Sequence, residues 1–455
     1  MKRRFTLGII VLIIVPISFS FYSIDNTIAG TPVTVEYVEQ EDWDNWELNS
    51  EGYNATSYSV LTDSKGVFHI VWSEYSSTEN HTRLLYCTYN QMVSGKTLLL
   101  EICNESFSHW TIYFLFKAIL DNSDKLHLLY FDPTESWMAK HLVFTEGILT
   151  DSHDLWGFKN GYLLKGPENN IHFVGSKYGT GDDYNGKNIF YATYNGISWS
   201  TPQMLTDYNE YEEHDIIDAV ISRSGKICIA FNYEINFPNF TSGKWETKQS
   251  ARSFYYNGHN WLEQNISETS WTLGRLAFDD LDVVYMVQYD EIKTDYVTLD
   301  YSRYKDNLWE SYRTLKIYEI DFEMGIYEHW LRDMVIIGSD IFIALSIRNN
   351  VSESYIYLLH TNNCDEWKLY SIFQNKDYFS LYPLVTANEV GSVFMLDTCY
   401  NGNWSVIAFH KNVFFDYRET GILPGYTMLI TLLTFVSMIP VMIIQSRKRL
   451  KITSN

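Results

Sequence analysis

Phe68-His69-Ile70-Val71-Trp72 decides the reading of this chain, because the same strand returns six more times. The copies are Leu126-His127-Leu128-Leu129-Tyr130, Ile171-His172-Phe173-Val174, Ile227-Cys228-Ile229-Ala230-Phe231, Val284-Tyr285-Met286-Val287, Ile341-Phe342-Ile343-Ala344-Leu345 and Val393-Phe394-Met395-Leu396. Their starts lie about 45 to 60 residues apart, a period that signals a radial or stacked β architecture.

Each repeat has the same parts in the same order. A short apolar stretch comes first, as in Ala219-Val220-Ile221. A polar turn follows, such as Asp63-Ser64-Lys65-Gly66 or Asp121-Asn122-Ser123-Asp124; Asp, Asn, Ser and Gly suit tight turns through local side-chain bonds or tolerance of positive φ. The core strand comes next, rich in β-branched and aromatic residues. A variable loop then leads to a third strand, as in Asn188-Ile189-Phe190-Tyr191. That strand often ends in Asn-Gly followed by Trp, in Asn195-Gly196…Trp199 and Asn257-Gly258…Trp261, with a weaker copy in Asp306-Asn307…Trp309. Asn-Gly is the preferred pair for a two-residue type I′ turn, so a fourth, outer strand is expected to open at the Trp. Four antiparallel strands per unit, repeated about one axis, make a β-propeller blade.

The expected fold is therefore all-β, a seven-bladed propeller over residues 31–420, with inner strands near residues 57, 116, 161, 217, 274, 332 and 383. Six and eight blades remain open, and a pair of packed sheets is the rival. The last repeat lacks a clear fourth strand. Trp43-Asp44-Asn45-Trp46-Glu47-Leu48 is expected to supply it by pairing near Ser405–His410, which would close the ring and remove two sheet edges.

Two stretches carry a family resemblance. Asp63-Ser64-Lys65-Gly66-Val67-Phe68-His69-Ile70-Val71-Trp72 and Asn195-Gly196-Ile197-Ser198-Trp199-Ser200-Thr201-Pro202 resemble the sialidase-like, BNR-type repeats of extracellular propellers. The resemblance covers roughly residues 57 to 415 and implies the fold more than the activity, since one scaffold hosts unrelated functions. Sialidases of this kind use three arginines, a Tyr-Glu nucleophile pair and an acid–base Asp, and open with an Arg-Ile-Pro-like motif. That motif is missing, as is the Ser-x-Asp-x-Gly-x-Thr-Trp box, and the arginines are scattered, which argues against sialidase activity.

Both ends point to a membrane address. Met1-Lys2-Arg3-Arg4, an apolar run from Phe5 to Val15 and small residues up to Gly30 read as a signal peptide or signal anchor over residues 1–30. Thr427 to Gln445 carries no charge and is long enough to cross a bilayer as a helix, giving a transmembrane anchor at 421–446. Arg447, Lys448, Arg449 and Lys451 then mark a cytoplasmic basic tail at 447–455. Leu423-Pro424-Gly425-Tyr426, the apolar span and the basic cluster resemble archaeal C-terminal sorting signals of the Pro-Gly-Phe type, with Tyr426 in place of Phe. The rest is expected outside the cell, with glycosylation sequons at Asn54, Asn80, Asn104, Asn239, Asn265, Asn350 and Asn403.

Without residues 1–30 and 427–455, the chain keeps 27 basic and 55 acidic residues, a formal net charge of −28. Such a surface repels phosphate backbones, which excludes nucleic acid as a partner. The five cysteines form no Cys-x-x-Cys motif, so no structural zinc site is expected. Cys87 and Cys103 are the nearest couple for a disulfide, and Cys228 reads as a small buried hydrophobe.

The sharpest candidate site lies in segments leading into successive blades: His109-Trp110, His153-Asp154-Leu155-Trp156, Glu212-Glu213-His214-Asp215 and Glu328-His329-Trp330-Leu331-Arg332-Asp333. In a propeller such segments reach one face, around the channel mouth. Imidazole, carboxylate and indole together suit a sugar, with Trp110, Trp156 and Trp330 as stacking platforms, or a metal ion. The plain alternative is that these indoles pack between blades. No cofactor is expected. Asp182-Asp183-Tyr184-Asn185-Gly186-Lys187-Asn188 offers oxygen ligands compatible with a divalent cation such as calcium, although it lacks the closing Glu and also reads as a simple turn. The function expected is a membrane-anchored, cell-surface module that binds or scaffolds an extracellular glycan, peptide or protein. The rival is a glycoside hydrolase-like enzyme lacking the sialidase arginine triad, with Glu212 and Glu213 as its paired carboxylates.

Overall fold

The computed structural model describes residues 33–411 less 39–42, 51, 77, 79–80, 92–94, 104–115, 133–137, 159, 179–186, 208–211, 240–243, 268–273, 293–295, 319–325, 350–353, 363–365, 376–382, 390–391 and 401–403. Thirty strands form seven separate sheets. The N-terminal segment supplies β1 (Val33–Thr34), β2 (Glu36–Val38) and β3 (Asp44–Glu47). Blade 1 is β4 (Asn54–Thr62), β5 (Phe68–Ser76), β6 (His81–Thr88) and β7 (Thr97–Cys103). Blade 2 is β8 (Phe116–Leu120), β9 (Leu126–Asp132), β10 (Met138–Thr145) and β11 (Ile148–Asp154). Blade 3 is β12 (Asn160–Lys165), β13 (Ile171–Tyr178), β14 (Lys187–Tyr194) and β15 (Gln203–Met204). Blade 4 is β16 (Glu212–Ile221), β17 (Ile227–Asn239), β18 (Lys244–Tyr256) and β19 (Trp261–Ser267). Blade 5 is β20 (Arg275–Phe278), β21 (Val284–Ile292), β22 (Tyr296–Lys305) and β23 (Leu308–Tyr318). Blade 6 is β24 (Ile326–Ile337), β25 (Asp340–Asn349), β26 (Ser354–Thr361) and β27 (Lys368–Asn375). Blade 7 is β28 (Leu384–Ala387), β29 (Val393–Tyr400) and β30 (Trp404–Lys411), completed by β3.

The innermost strands abut in order from β4 to β28, and β28 meets β4, so the sheets close into a ring. Closure uses the expected strand, with Asp44 opposite His410 and Glu47 opposite Ile407. The same segment does more than the sequence foretold. Before reaching blade 7 it lays β1 parallel on β23 and β2 parallel on β27, giving blades 5 and 6 a fifth strand each.

The apolar core lies between blades rather than within one layer. Seven clusters of buried side chains sit one at each seam, each drawing residues from two neighbouring blades. Successive residues of a strand point to opposite faces. In β5, Ile70 and Trp72 therefore feed the seam with blade 7, while Val71 feeds the seam with blade 2. Both faces of the second strand are buried, which is why the recurring motif is apolar without alternation.

The turn before each core strand is built around its first residue. Oδ1 of Asp63 accepts the amides of Lys65 and Val67 at 2.8 Å, and Asp121 and Asp279 do the same in blades 2 and 5. Three positions later the backbone turns left-handed, at Gly66, Asp124, Asn169, Gly225 and Asp282, with φ between 59° and 88°. Gly, Asn and Asp tolerate that conformation best. The second carboxylate oxygen reaches the core strand, from Asp63 to His69 Nε2 at 3.2 Å and from Tyr285 OH to Asp279 at 3.2 Å. His69 and His172 each share a 2.6 Å bond with the hydroxyl of a third-strand tyrosine, Tyr86 and Tyr191. In blade 3 the turn carboxylate is replaced by Gly166, where any Cβ would lie 2.5 Å from His172 Nε2. These repeated histidines are thus internal struts.

Two local expectations are corrected. Asn195-Gly196 and Asn257-Gly258 are not two-residue type I′ turns, since only the glycines are left-handed. Each asparagine instead accepts two amides downstream with its side chain, spanning Asn195–Ser198 and Asn257–Asn260. The weaker signal, Asp306-Asn307, is the pair with both φ positive. Cys87, offered as half of a disulfide, is a buried free thiol, and Cys228 is likewise buried and free.

Because neighbouring strands are antiparallel, the first-to-second and third-to-fourth strand turns share one face of the disc, here the turn face. The other connections share the loop face. The expected anchor at 421–446, leader at 1–30 and tail at 447–455 lie outside the described residues. Among the described residues no helix is long and apolar enough to cross a membrane.

Candidate functional site

The innermost strands place one residue per blade at the same register, opposite Val71, Leu129, Val174, Ala230, Val287, Ala344 and Leu396 of the second strands. These residues are Ser59, Lys117, Tyr162, Asp218, Arg275, Asp333 and Leu384. All are half-buried, as befits a belt around a narrow channel. Asp218 accepts the amides of Ala219 and, across the seam, Leu276; Asp333 accepts those of Met334 and, across the seam, Val385. Tyr162 donates to the Ile217 carbonyl of blade 4 at 2.7 Å. Lys117 Nζ lies over the Tyr162 ring, 2.8 Å from its centroid. The belt therefore staples blades together, and Asp333, expected at the channel mouth, is one of its staples.

Surrounded by protein, Lys117 and Asp333 resist charging although each keeps some surface open to the channel. Burial lowers the Lys117 ammonium to about 7 and raises the Asp333 carboxyl to about 7. Between pH 7 and the ordinary 10.5 of lysine, unfolding takes up a proton at Lys117, so stability rises with pH. Between 3.8 and 7, unfolding releases a proton from Asp333, so stability falls with pH. The belt contributes least near pH 7, where the two windows meet. Replacing Lys117 with Met is expected to raise stability there by about 2 kcal/mol and to remove the alkaline gain. Urea titrations at pH 7 and 9 check this, and a loss of stability at pH 7 would contradict it.

The seam of blades 2 and 3 holds a different arrangement. His127, His141 and His153 stack across three neighbouring strands, with ring centroids 5.1 and 5.8 Å apart and planes within 16°. His127 Nδ1 and His141 Nε2 share a 2.9 Å bond. Burial holds His141 neutral, down to about 3, and lowers His127 too. At the outer end His153 Nε2 meets Asp151 Oδ2 at 2.8 Å, and Tyr194 OH donates to the same oxygen at 2.8 Å. Burial by itself would raise the Asp151 carboxyl, but these bonds and the Ser152 amide outweigh it and hold the group below its usual value. Trp199 packs against Tyr194, His141 and Trp156, at 5.4, 5.2 and 6.3 Å. Its indole Nε1, like His141 Nδ1, is buried and has no partner among the described residues.

Trp156 is the exposed member of this group, at 37 %. Its φ is +41° and that of Gly157 is +72°, so two successive left-handed residues turn the chain out of β11. A bulky residue held there stores about 1–3 kcal/mol of strain, of the kind that clusters at functional sites. Lys177 Nζ fixes the loop by donating to the Trp156 carbonyl at 2.8 Å. Asp154 is exposed, on the strand face opposite His153.

The other sequence candidates lie elsewhere. His109 and Trp110 lie outside the described residues, as does most of the 182–188 turn. His214 and Asp215 belong to the inner strand of blade 4, not to a loop. His214 is buried against Phe231 and Tyr233 and bonds the Lys187 carbonyl at 2.6 Å, while Asp215 pairs with Lys187 Nζ at 2.6 Å. His329 and Trp330 lie within β24 of blade 6. The three described motifs thus fall on different blades, and His153 and Trp156 belong to the group around Tyr194 and Trp199. Glu212 and Glu213 are strand neighbours with opposite burial, so they point to opposite faces. Tyr233 OH donates to Glu212 at 3.0 Å. Among the described residues no cluster of His, Cys, Asp and Glu is arranged to hold a metal ion.

No protein-family model matches the chain, and no curated protein matches it. Solved structures do. The polysaccharide lyase Uly1 is 9 % identical over 79 % of this chain and 90 % of its own, with a TM-score of 0.50. A polysaccharide lyase of the PL25 ulvan lyase type is 11 % identical over 78 % of this chain and 94 % of its own, with a TM-score of 0.51. These likenesses establish the propeller fold.

Proposed function

We propose that this chain is a cell-surface propeller that binds an extracellular glycan at the seam of blades 2 and 3. The observation that carries the reading is the exposed Trp156, held in a left-handed backbone against Trp199, which packs on Tyr194, the partner of Asp151 and His153. Sugar rings stack on indoles, and a carboxylate with an imidazole supplies the few oriented polar groups that fix a ligand. Trp156 is the platform; Asp151 and His153 hydrogen-bond the hydroxyls. The fold shared with polysaccharide lyases makes glycans the first class to test, while the site itself bears the weight of the reading. A hydrolase finds little support, because Glu212 and Glu213 diverge.

In this reading residues 1–30 direct export, 421–446 hold the protein in the membrane and 447–455 remain in the cytoplasm. Asn265, exposed on the outer strand of blade 4, is an accessible position for a glycan of the protein's own.

Replacing Trp156 with Ala is expected to weaken binding to a glycan identified on an array by about tenfold or more, a loss of about 1.4 kcal/mol or more. Circular dichroism and the melting temperature should stay unchanged. Unaltered binding with a lower melting temperature would assign Trp156 to packing alone.

A further inference from the structure

The exposed large apolar side chains are not scattered over the disc. Of nine among the described residues, six sit on or immediately after turns of the turn face. Leu98 opens β7, and Ile148 and Leu149 open β11. Ile197 lies at the Asn195–Ser198 turn, Leu281 in the Asp279–Val283 turn and Leu308 at the start of β23. Their exposures reach 69 % at Ile148, 80 % at Ile197, 82 % at Leu281 and 62 % at Leu308. They come from blades 1, 2, 3 and 5, so they define a surface and not one patch. Trp156, by contrast, follows β11 on the loop face.

The chain leaves the disc on that same face. Lys411, the last residue of β30, pairs with Val393, the first residue after the inner turn of blade 7. Fifteen residues, 412–426, separate it from the uncharged stretch Thr427–Gln445. An extended connection of that length reaches at most about 50 Å, so the disc stays near the bilayer into which the stretch inserts. The inner turns mix Lys65, Arg223 and Lys226 with Asp124, Glu168, Asp280 and Glu389, so no basic patch selects anionic lipid. Aliphatic tips rising from such a surface suit shallow insertion between lipid headgroups.

We propose that the turn face docks on the outer surface of the bilayer, its aliphatic tips in the headgroup–acyl boundary and its loop face, with Trp156, turned outward. This rests on the reading of 421–446 as a membrane anchor.

The test uses the full chain in phosphatidylcholine liposomes, with a genetically encoded fluorescent amino acid at Ile197, Leu281 or Leu308 and, as control, at Asp154. Doxyl-labelled lipid should quench all three tips and not position 154, and aqueous iodide should do the reverse. A combined Ile197→Ser, Leu281→Ser and Leu308→Ser variant, checked for its circular dichroism, should restore iodide access at Ile148. Tips quenched by iodide and untouched by doxyl lipid would overturn the docking. Tips shielded from both would overturn it too, in favour of a protein partner. An alkaline carbonate wash separates the two layers of the inference. A chain that washes out ends the anchor reading and the docking together; a chain that stays, with unquenched tips, ends the docking alone.

Discussion

Deleting Val33–Leu48 is expected to abolish the single cooperative unfolding transition and leave the chain largely unfolded at 37 °C. The segment removes three edges at once, those of β23, β27 and β30. Its apolar side chains are also part of three seams. Val35 is buried between blades 5 and 6, Trp43 between blades 6 and 7, and Leu48 between blades 7 and 1, at 7, 8 and 1 % exposure. Losing a buried Trp costs about 3–5 kcal/mol and a buried Leu about 2–5. Together these rival the whole stability of a typical domain, about 5–15 kcal/mol. The pairing lost from β30 adds to that. Denaturation followed by circular dichroism and by tryptophan fluorescence checks the expectation. Two coincident, wild-type-like transitions would show that the segment is ornamental.

Replacing Glu74 with Ala is expected to cost about 3–5 kcal/mol. Glu74 is fully buried. It accepts Arg83 at 2.9 Å on one oxygen, and the Trp72 indole at 2.9 Å and the Ser50 amide at 2.8 Å on the other. Arg83 is in turn stacked on Tyr53, 3.7 Å from the ring centroid. One carboxylate thus joins the passage after β3 to two strands of blade 1. Truncation would leave the half-buried Arg83 charge without its carboxylate and two buried donors unpaired. Glu74→Gln keeps the shape and part of the bonding, so it should cost clearly less. Equal losses for the two variants would show that the charge is irrelevant and the shape is what matters.

The ring was legible because its turns are chemical. An Asp, Asn or Ser that caps the turn, and a Gly, Asn or Asp three residues later, mark the inner corner of most blades, and the strand that follows is buried on both faces. The closing strand was legible because Trp43 and Trp46 formed a strand pattern with nothing nearby to pair with. β1 and β2 were not, since two- and three-residue parallel pairings leave no periodicity. At the site, His153 and Trp156 were picked out from the sequence; Tyr194, 5.1 Å from His153, and Trp199, 6.3 Å from Trp156, link the two. Tyr194, Trp199 and His141 were missed, because they arrive from other strands and other blades. The belt was missed as well. Lys117, Asp218, Arg275 and Asp333 share a register rather than a residue type, and only strand pairing reveals the equivalence. His214 looked like a ligand residue in sequence, but burial makes it a neutral strut.

Blade 7 is assembled from the two ends of the domain, Asp44 lying opposite His410. While a ribosome makes the intervening chain, at about 5–20 residues per second, β3 waits for its mate for roughly 20–70 s. The ring cannot be completed on the ribosome until nearly all of it has emerged, and such distant pairing is intrinsically slow. A nascent polypeptide of this kind stays unclosed until its last blade has been made. Premature termination within β30 would take away the partner of β3 and leave the ring unclosed.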